Sequence, residues 1–209
     1  MAFSTPDTQI AGYVVLASDW NELVNNFIAV NGFFRVDLWP PNPAVAYAPL
    51  TGVTAAGSET NESSGAAVDG NKPVIPILTF SGTADNSRQW ITRWPRGYGV
   101  TATVVGSYYM TGVNSDDEAV LNFYVAAVSD TDITRTAKVY DTANVLTLTV
   151  PDAVGTEDAF SQVLTNNDSV VKDDWVNFAM MRDGDAGGDT ANVGNLALTS
   201  LAINFALAT

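Results

Sequence analysis

From Val74 onward the chain alternates between short β-rich runs and clusters of Asp, Asn, Gly and Ser, with no apolar stripe of helical period between them. This texture predicts strands near 74–80, 88–94, 99–109, 119–127, 137–140, 144–150, 159–164, 175–182 and 195–206. Several runs alternate residue by residue. Val145, Thr147 and Thr149 oppose Leu146, Leu148 and Val150, and Leu201, Ile203, Phe205 and Leu207 oppose Ser200, Ala202 and Asn204. Strands at this spacing with turn residues between them imply a mainly β fold, an antiparallel β-sandwich of jelly-roll type. The acidic residues agree with it: 18 are Asp and 5 are Glu, and Asp favours turns and caps where Glu favours helix interiors.

Composition narrows the chemistry. There is no Cys and no His, so disulfides, thiol nucleophiles and Ser-His-Asp machinery are excluded within this chain. The net charge is −14, from 9 basic and 23 acidic residues, which argues against a nucleic-acid partner. The longest early apolar stretch, Ile10–Ala17, is too short to span a membrane and has no basic residue before it; neither a membrane nor Sec export is expected.

The first third reads differently. Residues 1–17 form an extended arm, broken by Pro6 and Gly12. Ser18 then caps a short helix whose Trp20, Leu23, Val24, Phe27 and Ile28 make one apolar stripe, ended by Asn31-Gly32. About three turns are marginal alone, so the stripe must dock, either on its own domain or on a partner. Four prolines in 37–50 mark a connector, and 51–72 is a small, polar, Gly-rich loop or linker. The expected division is therefore 1–50 for arm, helix and connector, 51–72 for the linker, and 73–209 for the sandwich. Faces rich in small residues and Thr, with only three Lys in the chain, suggest a homo-oligomer.

Three constellations bear on chemistry. Asp183, Asp185 and Asp189 in DGDAGGDT superficially resemble a calcium loop, but Gly187 and Gly194 fall where an EF-hand needs ligands; they are weak metal candidates beside a plain turn, and no cofactor is expected. Paired carboxylates for glycoside hydrolysis are not singled out, so the chain is not expected to be an enzyme. Trp90, Trp94 and Tyr98 cluster with Arg88, Arg93 and Arg96, either as core packing or as a platform for sugar rings.

The opening resembles tailed-bacteriophage structural proteins that begin T-x-x-x-x-G-x-V-V-x-A-x-x-W-N and continue into an Asn-rich helix. Gly12, Val14, Val15, Ala17, Trp20 and Asn21 fit this pattern, with Thr8 one residue nearer to Gly12 than it asks, followed by Val24, Asn25 and Asn26; a late strand ends in Met181-Arg182-Asp183. The resemblance implies a virion component: a head decoration (cement) protein, head fibre or tail-associated protein, trimeric, with its N-terminal segment bound to the major capsid protein or another virion protein. The alternative expectation is a carbohydrate- or receptor-binding jelly roll that reads a host surface glycan through Trp90, Trp94 and Tyr98.

Overall fold

The computed structural model describes residues 33–38, 55–56, 58–62, 75–96, 98–115, 117–129 and 138–207. Eleven strands occupy them: β1 (Phe33–Asp37), β2 (Ala55–Ala56), β3 (Ser58–Glu62), β4 (Ile75–Ser81), β5 (Asn86–Arg93), β6 (Tyr98–Met110), β7 (Glu118–Val128), β8 (Asn144–Thr149), β9 (Asp158–Leu164), β10 (Trp175–Arg182) and β11 (Asn195–Leu207). The helical stripe of Trp20, Leu23, Val24, Phe27 and Ile28 lies outside the described residues, and among the described residues there is no helix.

The strands form two sheets. One runs β3-β4-β11-β6-β9, with β1 also on β11; the other runs β2-β5-β10-β7-β8. The eight strands β4 to β11 divide between the sheets in the orders 4-11-6-9 and 5-10-7-8, which is the jelly-roll path. All pairings are antiparallel except the two-residue contact of β2 with β5.

Strand positions largely follow the sequence pattern, and 175–182 coincides with it. Three segments depart from it. Residues 138–140 are irregular rather than a strand. Residues 58–62, expected in the linker, hydrogen-bond along β4. Residues 33–37, expected in the N-terminal segment, pair with the second half of β11, and Leu38 follows them into the core with its N–H on the Leu201 carbonyl (2.9 Å). Backbone pairing supplies the reason: the β4 and β11 edges carry unpaired N–H and C=O groups that an adjacent extended segment can satisfy whatever its side chains.

The core lies between the sheets. Inward-facing Leu196, Leu198, Leu201, Ile203 and Phe205 of β11 meet Leu121, Phe123 and Val125 of β7 and Val176, Phe178 and Met180 of β10. An aromatic chain crosses it. Trp90 lies 5.9 Å from Phe178, Phe178 stacks on Phe123 at 6.2 Å, Phe123 meets Phe160 at 5.8 Å, and Phe160 reaches Tyr108 at 6.2 Å. Gly106 makes room for it, since a Cβ there would sit 2.5 Å from the Phe160 ring and 2.7 Å from the Ser200 carbonyl.

Candidate functional site

The expected sugar platform is part of this core. Trp90, Trp94 and Tyr98 are only 7, 1 and 9% exposed. Trp94 packs edge-on against Phe205 at 4.7 Å and donates its indole N–H to the Gly99 carbonyl (3.1 Å). Alternation placed Trp90 and Trp94 on a common face, as the sequence suggests, but that face points inward; a buried ring has no surface to offer a sugar. Arg88 is buried as well, while Arg96 pairs with Asp173.

The opposite face of the five-stranded sheet carries the accessible chemistry. Residues in register across β5, β10 and β7 form four rows on it: Arg93–Trp175–Val128, Ile91–Asn177–Ala126, Gln89–Ala179–Tyr124 and Ser87–Met181–Asn122. Rows two residues apart are separated by ~6.7 Å, so the face extends ~20 Å along the strands. Trp175 is 43% exposed and Ile91 54%. The Arg93 guanidinium lies 5.4 Å over the Trp175 ring, and its Nε donates to the Asp173 carbonyl (3.1 Å), which anchors the cation beside the indole.

Tyr140 divides this face. The Asp141 N–H donates to the Val125 carbonyl (2.9 Å), bringing the 138–141 segment beside β7. From there Tyr140 packs against Tyr124 (6.1 Å, 64° between planes) and donates its hydroxyl to Gln89 Oε1 (2.9 Å). In register, Ala179 lies between Tyr124 and Gln89, and it is fully buried; Tyr140 passes over it, and a larger residue there would block the crossing. Burial pushes the Tyr140 hydroxyl up to about 12.

Beyond Tyr140 lies an acidic end. Carboxylate oxygens of Asp85, Asp183 and Asp185 lie within 4.8 Å of one another. Two turns make this cluster, 82–85 before β5 and 183–188 after β10, because Asn86 pairs with Arg182 and so sets Asp85 opposite Asp183. The turns touch closely: a Cβ on Gly184 would lie 3.0 Å from the Ala84 backbone and 3.1 Å from the Ser81 carbonyl. Burial, then the charges of Asp183 and Asp185, raise the Asp85 carboxyl above its ordinary range, against the backbone N–H groups of Asp185 and Gly184 that favour its anion. Asn122 donates its amide to Asp183 Oδ2 (3.0 Å). Tyr124 stands next to it, its hydroxyl raised by burial and by the Asp183 charge, with the Asn122 amide acting the other way.

Of the three sequence candidates, Asp183 and Asp185 therefore come together and Asp189 does not. Its carboxylate is fully buried against Arg182, with Nε on Oδ2 (2.9 Å) and Nη2 on Oδ1 (2.8 Å), and it also accepts the Val120 N–H (3.0 Å). Asp85 takes its place in the cluster. The only signal for Asp85 in the sequence is its position just before a strand that pairs with β10.

No protein-family model and no curated protein matches the chain. Among solved structures it is similar to an isomalto-dextranase of Arthrobacter globiformis complexed with panose (13% identity, TM-score 0.43, 82% of this chain and 23% of that one). It is also similar to a CBM22 xylan-binding domain from Paenibacillus barcinonensis (11%, TM-score 0.41, 84% and 99%). A third is a structure of infectious bursal disease virus (14%, TM-score 0.26, 72% and 37%). With TM-scores below 0.5, none of the three assigns this chain a family or a ligand.

Proposed function

We propose that this jelly roll is a glycan-binding module, and that the outer face of its five-stranded sheet is the binding surface. The exposed indole of Trp175, flanked by the Arg93 guanidinium and bordered by Ile91 and Asn177, carries the reading. A sugar ring presents apolar C–H groups on its face and hydroxyls at its rim. An accessible indole receives the former, and Asn177, Gln89 and the Arg93 guanidinium the latter. The net charge of −14 selects neutral glycans over anionic ones. Affinity electrophoresis through gels containing soluble glucan, mannan, xylan or an acidic polysaccharide tests this. A neutral polymer retards the wild-type chain; Trp175→Ala weakens that retardation ~10-fold or more, in line with loss of a central aromatic contact. Equal retardation of both proteins, or none by any neutral polymer, refutes the reading.

A second reading, a trimeric virion protein anchored through its N-terminal segment, draws support from the other sheet. On β6, β9 and β11 its outward positions are Thr101, Thr103, Val105, Ser107, Tyr109, Ala159, Ser161, Val163, Ala197, Ala202 and Asn204, all uncharged, while β1 brings the charged positions Arg35 and Asp37 into register with Asn204 and Ala202 at one side. The uncharged, mostly small strip along β6 and β9 suits contact with another copy. Sedimentation equilibrium of the purified chain at a single 22.1 kDa species would discard that trimer.

A further inference from the structure

We infer that Asp85, Asp183 and Asp185, together with the side-chain oxygen of Asn122, bind a calcium ion at the end of the five-stranded face. Crowded carboxylates alone are common on acidic surfaces, so the Asn122 amide is the deciding feature. Asn122 is only 5% exposed, its Nδ2 lies on Asp183, and its Oδ1 has no hydrogen-bond partner among the described residues. A buried amide oxygen left unpaired is unfavourable, and here it belongs to a group whose nitrogen already contacts one member of the cluster, Asp183. Ser87 lies on the same face two residues from Asp85; it is fully buried and its hydroxyl is likewise unpartnered.

Donor type and spacing favour calcium. All the ligands are hard oxygens, with neither His nor Cys in the chain. Carboxylate oxygens within 4.8 Å of one another can share one calcium ion through bonds of ~2.4 Å, and an irregular set of carboxylates and an amide suits the flexible calcium shell better than magnesium, which demands near-octahedral geometry and gives up its water reluctantly. The cluster also gains most from a divalent cation, because three like charges otherwise face one another there. Rigid placement by the Gly184 contact keeps the two turns in position for the ion.

The experiment is calcium chloride titrated into the full chain by isothermal calorimetry, with thermal unfolding in parallel. One equivalent should bind with Kd on the order of 10⁻⁴ M, and at a hundredfold excess over Kd the Tm should rise by ~5–10 °C. Magnesium chloride at the same concentrations should leave the Tm unchanged. Asp185→Asn, at the exposed member of the cluster, and Asp85→Asn should each weaken calcium binding roughly 10- to 100-fold. Asp158→Asn, on β9 in the other sheet, should keep affinity within about twofold. Circular dichroism establishes that each variant is folded. Without calcium, Asp85→Asn should not lower the Tm, since it removes a repelled charge. No binding heat and no Tm shift up to ~10 mM calcium, equal binding by the Asp185 variant, or equal response to magnesium would each overturn the assignment.

Discussion

The Arg182–Asp189 pair is the most exacting test of how this sandwich is held. Both side chains are fully inaccessible, so the pair is not screened by solvent or salt. Geometry is bidentate, with Nη2 also donating to the Ala191 carbonyl (2.5 Å), while Nη1 has no partner. Asp189→Ala would leave a guanidinium buried without its counter-ion and strip the Val120 N–H of its acceptor. The expected cost is about 3–5 kcal/mol, a fall of ~6–20 °C in Tm for a chain of this size. Exchanging both residues, as Arg182→Met with Asp189→Leu, removes the charges together and should recover most of the loss. Urea unfolding of the two single variants and the double variant, followed by circular dichroism, gives the coupling energy directly. A loss below about 1 kcal/mol for Asp189→Ala, or a double variant no more stable than the single one, would show that the pair is not closed to water.

Further outcomes follow from the same geometry. Gly106→Ala should destabilise the protein by about 1–3 kcal/mol through overpacking against Phe160, and an unchanged urea midpoint would contradict that contact. Burial pushes Tyr108 and Tyr140 up to about 12 from an ordinary 10, so their neutral forms favour folding fully below pH 10, and that contribution is lost as pH rises from 10 through 12. Absorbance titration should therefore show Tyr108 and Tyr140, with Tyr124 displaced in the same direction, ionising later in the native protein than in denaturant. A single midpoint near 10 in the folded state would contradict their burial.

Strand positions were readable because alternation survives in the sequence. Leu146 and Leu148 pack on the core while Val145 is 56% exposed, as their pattern implies. Which face of β5 points inward was not readable. Its two faces, Trp90-Thr92-Trp94 and Gln89-Ile91-Arg93, are each mixed in polarity, and only pairing with β10 decides between them. Parity on β10 did hold the clue to Trp175: Val176, Phe178 and Met180 form one apolar set, which sends Trp175 and Asn177 outward. Asp85 needed still more, since nothing local joins position 85 to 183 until the β5–β10 register is known. Asp189 was misleading for a related reason. Its sequence neighbours are turn acids, but its partner, Arg182, lies seven residues back at the end of a strand and faces the core.

The short pairing of β1 with β11 sets how the module yields to tension. Phe33 lies opposite Ala206 and Asp37 opposite Ala202, so the beginning of one strand and the end of the other meet at the same edge of the sheet. A pull that draws residues 33 and 206 apart loads these hydrogen bonds one after another, as a zipper opens, rather than all together in shear. The first strand would peel away at low force while the eight strands of the jelly roll stay closed, so a load on the N-terminal side would first lengthen the chain by a few residues before it reached the folded body.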